Sequence, residues 1–224
     1  MKDIEICVFD AYGTLFDFNS AVARHRAAIG PKADALSEMW RTKQIQYTWL
    51  RNSMAAYAPF WQVTGEALDN CLATFSIADK SVRDKLLGAY LALDPFPEVP
   101  AMLDKLKRAG KRLAILSNGN PEMLDPMVKA SGLGDRFEAV LSVDAAKVFK
   151  VDPRTYALVE QRFGVKPGKV CFLSSNSWDA HGAAHFGFNV VWVNRGGVPE
   201  DNLPGKIVTQ MKDLSHLPTL LGVS

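Results

Sequence analysis

Five short, nearly continuous apolar runs constrain this chain more than any other feature: Ile4–Phe9, Leu113–Leu116, Ala139–Leu141, Val170–Leu173 and Val190–Val193. A strand without polar alternates is one buried on both faces, as in a parallel sheet covered by helices. Helical patterns alternate with the runs, which implies an α/β fold with helices on both faces of a Rossmann-like parallel sheet. The punctuation agrees. Asp152-Pro153 supplies an N-cap and first-turn proline ahead of Tyr156, Leu158, Val159 and Phe163, and Gly110 and Gly132 fall where left-handed helix ends are wanted.

One region breaks the alternation. Between Phe18 and Leu93 the apolar residues recur only at helical spacing: Leu36, Met39, Trp40, Tyr47 and Leu50, then Ala67, Cys71 and Phe75, then Leu86, Leu87, Tyr90 and Leu91. The Pro/Glu-rich stretch Asp94-Pro95-Phe96-Pro97-Glu98 marks the return to the sheet. The expected organisation is a core of residues 1–17 plus 95–224 with an all-helical cap, residues 18–94, inserted after the first strand.

Composition narrows the class of protein. A chain of 224 residues, 48% hydrophobic and 22% charged, is ordinary for a globular domain with an insertion. The net charge of +2 comes without a basic run to track a phosphate backbone, so nucleic acid is not an expected partner. No apolar stretch approaches the roughly 18 residues of a membrane span, and Met1-Lys2-Asp3-Ile4-Glu5 is charged where a secretory signal is apolar. Cys7, Cys71 and Cys171 lie far apart within apolar patterns, as buried free thiols do. A reduced, cytoplasmic protein is expected.

In open parallel sheets, ligands bind beyond the carboxyl ends of the strands. The first run ends in Asp10, followed by the turn Ala11-Tyr12-Gly13-Thr14; the second in Ser117-Asn118-Gly119; the fourth in Ser174-Ser175-Asn176-Ser177-Trp178-Asp179. Val148-Phe149-Lys150 follows the third after a short gap. Singly, each is most simply a turn or helix cap. Together, in this order and with a helical cap between the first two, they converge on a nucleophile with polar support.

The strings Phe9-Asp10-Ala11-Tyr12-Gly13-Thr14-Leu15-Phe16-Asp17, Leu116-Ser117-Asn118-Gly119, Val148-Phe149-Lys150 and Ser174-Ser175-Asn176-Ser177-Trp178-Asp179 resemble the four motifs of the haloacid dehalogenase superfamily. With the cap strings Trp40-Arg41-Thr42-Lys43-Gln44 and Tyr47-Thr48-Trp49-Leu50-Arg51, the chain is most similar to the L-2-haloacid dehalogenase (type II) branch. Most members of the superfamily are Mg²⁺ phosphatases, which carry a second Asp two residues after the nucleophile and metal-binding carboxylates in the fourth motif. Here those places hold Tyr12 and Ser174-Ser175-Asn176, which argues against phosphoryl transfer. The implied reaction is displacement of halide from a short L-2-haloacid, with neither metal nor cofactor. The substrate is itself an anion, and at 4 Å its repulsion of a carboxylate costs roughly 4 kcal/mol at an effective dielectric near 20, so nearby cations must offset it.

The resemblance implies roles residue by residue. Asp10 is the nucleophile that forms an ester with substrate. Thr14, Tyr156 and Lys150 orient or polarise it, with Lys150 also pairing with Asp179. Ser117 and the amides of Ala11 and Tyr12 bind the substrate carboxylate, and Arg41 and Asn118 cradle the halide. Ser174, Asn176 and Asp179 hold and activate water. Tyr12, Ile45, Phe60 and Trp178 wall in the substrate side chain. Two departures stand out: Val151 replaces a common Pro, and Ile45 a usual Leu. Plainer readings remain beside these: caps for Thr14, Ser174 and Asp179, core packing for Ile45, Phe60 and Trp178, and a solvated face for Arg41. His181 and His185 have metal-ligand spacing but lack the Glu of a zinc-protease helix and an evident third ligand. The family is often dimeric, which the aromatic helix of Trp40, Tyr47 and Trp49 would serve, though the sequence alone leaves association open. Opening of a strained ring such as L-azetidine-2-carboxylate, or a silent binding protein on the same fold, are the competing readings.

Overall fold

The structure, a computed structural model, describes Met1 and residues 3–223; Lys2 of the charged N-terminal stretch lies outside them. The chain opens with strand β1 (Ile6–Phe9) and the two-residue β2 (Phe16–Asp17). Five helices follow: α1 (Asn19–Ala23), α2 (Arg26–Ile29), α3 (Ala33–Ser53), α4 (Phe60–Thr74) and α5 (Lys80–Tyr90). Next come β3 (Asp94–Pro95), α6 (Val99–Arg108), β4 (Arg112–Ser117), α7 (Pro121–Ala130) and β5 (Ala139–Ser142). The last part holds α8 (Pro153–Phe163), β6 (Val170–Ser174), α9 (Ser177–Phe186), β7 (Asn189–Val193), β8 (Thr209–Met211) and α10 (Leu217–Leu220).

Six strands form one sheet in the order β5-β4-β1-β6-β7-β8, every neighbouring pair parallel. Every residue of β1 is buried, as are Leu113–Ser117 of β4 and all of β6. Strand β1 therefore occupies the centre, and its carboxyl end opens between β4 and β6. The first strand begins at Ile6 rather than Ile4, and β8 escapes sequence reading because Thr209, Gln210 and Met211 form a partly exposed edge. Asp152 caps α8 through the Arg154 N–H (2.9 Å), and Gly110 and Gly132 lie just beyond α6 and α7 with φ of 73° and 66°.

The helical insertion leaves and returns side by side. β2 and β3 pair antiparallel, Phe16 opposite Pro95 and Asp17 opposite Asp94, and the Phe96 N–H reaches Leu15 O at 3.0 Å. Above this ribbon, α3, α4 and α5 form the cap, and their buried residues, among them Leu36, Trp40, Val63, Leu68, Cys71, Leu86 and Tyr90, are continuous with the hydrophobic core of the sheet. Trp40 is buried there, its indole N–H donating to Thr64 O at 2.9 Å, so it is not available to a subunit interface. Polar contacts fasten the cap to the core away from the ribbon. The Tyr57 hydroxyl donates to Asp144 (2.6 Å), the Trp61 N–H to Asn120 Oδ1 (2.8 Å), and Asn52 meets the backbone of Phe149. All three cysteines are buried free thiols; burial pushes that of Cys71 up to about 11.

Candidate active site

The central strand delivers Asp10 to the sheet's carboxyl edge, its N–H bonded to Leu173 O of β6 at 2.8 Å. The chain then turns sharply: the N–H groups of Leu15 and Phe16 both point back to Ala11 O at 3.0 Å. Gly13 makes that turn with φ of +85°, and a Cβ there would lie 3.0 Å from Ser175 Oγ. The turn folds Thr14 back beneath Asp10. Its hydroxyl accepts from the Ser175 N–H (2.8 Å) and gives its own proton to Asp10 Oδ2 (3.2 Å).

Two further donors fix the Asp10 carboxylate. Asn176 Nδ2 reaches Oδ2 at 2.8 Å and Lys150 Nζ reaches Oδ1 at 3.0 Å. Lys150 arrives from a loop, with its N–H held by Asn118 Oδ1 at 3.0 Å, and its peptide bond to Val151 is cis. Its ammonium also lies 2.8 Å from Asp179 Oδ2. One buried cation thus serves two buried carboxylates. Burial works against the charged ammonium, but Asp10 and Asp179 outweigh it and hold Lys150 above the usual lysine value.

The Tyr156 hydroxyl donates to Asp179 Oδ1 at 2.8 Å, and Asp179 in turn pairs with the Lys150 that holds Asp10. Burial and the charge of Asp179 push the phenol well above its usual range, so it stays a donor. The approach depends on a missing side chain: a Cβ on Gly182 would lie 2.7 Å from that hydroxyl and 2.6 Å from Val151 Cγ1.

From the cap, α3 lowers Arg41 over the site. Nη2 donates to Asn176 Oδ1 (3.1 Å), and the guanidinium lies 5.0 Å from the centre of the Phe18 ring. Arg41, Ile45, Trp49, Asn176 and Trp178 line a cavity of about 400 Å³. Trp178 meets Trp49 edge-on at 5.5 Å. Tyr12 is buried beneath, stacked on Tyr90 at 5.4 Å and against Phe60 at 5.9 Å. Phe60 is fully buried behind Tyr12 and backs the wall without lining that cavity.

Ser117 and Asn118 stand together at the end of β4, Ser117 Oγ accepting from the Gly119 N–H at 3.1 Å. Ser174 Oγ, at the end of β6, accepts from the Asn176 N–H at 3.2 Å. Sequence reasoning missed Ser175, Phe18, Gln44 and Tyr90. Gln44 had one available signal: it continues the buried stripe Trp40, Gln44, Thr48 along α3.

The residues suit anionic nucleophilic attack better than cation binding. Asp10 and Asp179 converge, but the Lys150 ammonium already bridges them. Among the described residues, no group of three or more His, Cys, Asp or Glu side chains is arranged to hold a metal ion. The His181 ring nitrogen Nδ1 faces Gly205 O at 3.1 Å, while Nε2 lies 3.7 Å from Glu200.

The model of the haloacid dehalogenase-like hydrolase family matches residues 4–187. The chain is 47% identical over 222 residues to (S)-2-haloacid dehalogenase 4A of Burkholderia cepacia, covering 99% of this chain and 96% of that one. A crystal structure of a dehalogenase superposes with a TM-score of 0.97 at 46% identity, covering 99% and 98% of the two chains. The L-2-haloacid dehalogenase of Xanthobacter autotrophicus, solved with chloropropionic acid covalently bound, superposes with a TM-score of 0.89 at 39% identity, covering 97% and 98%.

Proposed function

This chain belongs to the haloacid dehalogenase-like hydrolases, and from that premise we infer that it hydrolyses 2-haloacids through a covalent ester with Asp10. The observation that carries the reading is the Asp10 carboxylate itself, held by Lys150, Asn176 and Thr14 beside Arg41. Asp10 attacks the carbon bearing the halogen from behind; the C–O bond forms as the C–X bond breaks, and the bonding pair leaves with the halide. Water then attacks the carboxyl carbon of the ester. Hydroxyacid, halide and one proton are released, and the carboxylate is restored.

The reaction needs no metal. The charge to be managed is one nucleophile, one substrate carboxylate and one departing halide, and Lys150 and Arg41 supply cations for it. In the roles we propose, Lys150 keeps Asp10 ionised against the approaching anion. Ser117 and the Ala11 and Tyr12 amides bind the substrate carboxylate, and Arg41 with Asn118 receives the halide. Asn176 and Asp179 direct water, with Tyr156 and Lys150 fixing Asp179, and Ser174 holds the Asn176 turn. Ile45, Trp178 and Tyr12 enclose the substrate side chain. With carboxylate and halide each assigned a side, only the L enantiomer presents the back of its C–X bond, and the product is the D-2-hydroxyacid.

Among the described residues no helix is long and apolar enough to cross a membrane. The buried free thiols support a reducing, cytoplasmic setting. We also propose that two copies associate through the end of α3, where Trp49, Leu50 and, just beyond the helix, Met54 are exposed. The test of function is halide release from chloroacetate, bromoacetate and both enantiomers of 2-chloropropionate after exhaustive chelation. Release from the L form and not the D form is expected. Equal consumption of both enantiomers overturns the proposed pose, and activity that vanishes with EDTA and returns with Mg²⁺ overturns the metal-free route.

A further inference from the structure

Arg41 has only donors, so what aims it must be an acceptor. Nη1 donates to Gln44 Oε1 at 2.8 Å, one turn along the same helix. Gln44 is 1% exposed, in a position where a leucine would pack without losing hydration. Its amide is committed at both ends. Oε1 also accepts from the Tyr90 hydroxyl (3.1 Å), while Nε2 donates to Thr64 Oγ1 at 2.7 Å. Thr64 in turn gives its proton to Phe60 O at 2.7 Å, so toward Gln44 it can only accept. Turning the amide over would set its NH₂ against the guanidinium and its Oε1 against a Thr64 hydroxyl that has already spent its proton. The chain Phe60–Thr64–Gln44–Arg41 therefore admits one orientation. On the other side, Arg41 Nη2 rests on Asn176, which itself holds Asp10.

We infer that Gln44, locked by Thr64 and Tyr90, is the positioning residue that aims Arg41 at the departing halide. The inference rests on the dehalogenase reading above. Gln44 touches no reacting atom; it acts by fixing where a donor meets charge that develops only as the C–X bond breaks. Chloride is the poorer leaving group and the stronger hydrogen-bond acceptor, so its departure depends on that donor more than bromide's does. A misaimed Arg41 should therefore cost more on the chloro than on the bromo substrate, whereas a loosened cap should cost both alike.

The experiment compares kcat/KM for L-2-chloro- and L-2-bromopropionate, a ratio that reports carbon–halogen cleavage and excludes the ester hydrolysis common to both. Gln44→Met should lower kcat/KM for the chloro substrate by about tenfold or more and widen the bromo:chloro ratio by about threefold or more. Thr64→Val, which removes only the hydroxyl that orients the amide, should shift the ratio the same way, and Thr64→Ser should restore it. Thr48→Val is the structural comparator: its hydroxyl binds Ile45 O at 2.7 Å on the same helix, away from Arg41. It should lower the melting temperature and leave the ratio unchanged. If Gln44→Met fails to fold, the Thr64 pair carries the same test. An unchanged ratio in folded Gln44→Met or Thr64→Val overturns the inference while leaving the dehalogenase reading intact. Parent protein that releases no halide from either substrate overturns both.

Discussion

The side-chain amide of Asn52 pairs with both backbone groups of Phe149, accepting from its N–H at 2.9 Å and donating to its carbonyl at 2.7 Å. Phe149 is the residue before Lys150, so the cap helix holds the loop that carries the site's central cation. Asn52→Leu leaves both backbone groups without these partners and should cost about 1–2 kcal/mol. It should also lower kcat/KM, because the ammonium is no longer held to its two carboxylates from above. Urea unfolding and haloacid turnover measure the two effects. A variant matching its parent in both would show that this contact carries no weight.

The Lys150 cluster makes a claim about pH. Burial disfavours its ammonium and Asp10 and Asp179 more than compensate, so the folded protein binds this proton more tightly than the unfolded chain does. The resulting stabilisation is complete below the ordinary lysine value and is lost as pH rises through the raised one. Any alkaline loss of kcat/KM caused by Lys150 should therefore begin only above that ordinary value. Lys150→Met should cost about 3–5 kcal/mol near neutrality by leaving two buried carboxylates face to face. It should regain stability as pH falls, when one of them takes up a proton. Denaturant unfolding across pH tests this, and a Lys150→Met profile parallel to the parent's would mean the carboxylates do not share the lysine.

Covalent attack fixes the origin of an oxygen atom. In a single turnover in H₂¹⁸O with enzyme in excess, the hydroxyacid should carry unlabelled oxygen taken from Asp10. The label should appear in the peptide containing Asp10, and in product only after repeated cycles. Labelled hydroxyacid in the first turnover would mean that water attacks substrate directly and that Asp10 acts as a base.

How much of this was legible beforehand follows from where each residue gets its constraint. The central strands declare themselves because burial on both faces removes every polar alternate, whereas β8 pairs on one side only and keeps Thr209 and Gln210. Asp10, Ser117 and Ser174 could be placed from strand ends, since in a parallel sheet the chain direction alone brings those ends to one edge. Lys150 follows its strand only after a gap, so its place among the strand ends was legible while its role came from the family motif. That Tyr156 donates to Asp179 could not be read beforehand, because its reach is set by how closely α8 and α9 pack at Gly182, a distance no single motif contains. Gln44 was passed over since a glutamine on a helix ordinarily faces water, and its burial depends on α4 and α5 meeting α3 from elsewhere in the chain.

The strand order has a bearing on how the protein is made. β1 precedes both of its neighbours, and each is distant in sequence: Cys7 lies opposite Leu113 on one side and Cys171 on the other. The centre of the sheet cannot close until β6 has been synthesised, and contacts this remote are slow to form. Until then Asp10 has neither Lys150 nor Asn176 beside it. Pairing of β6 and assembly of the Asp10 site are thus linked, so a nascent or truncated chain that ends before β6 should lack the Asn176 and Asp179 contacts and show no partial activity.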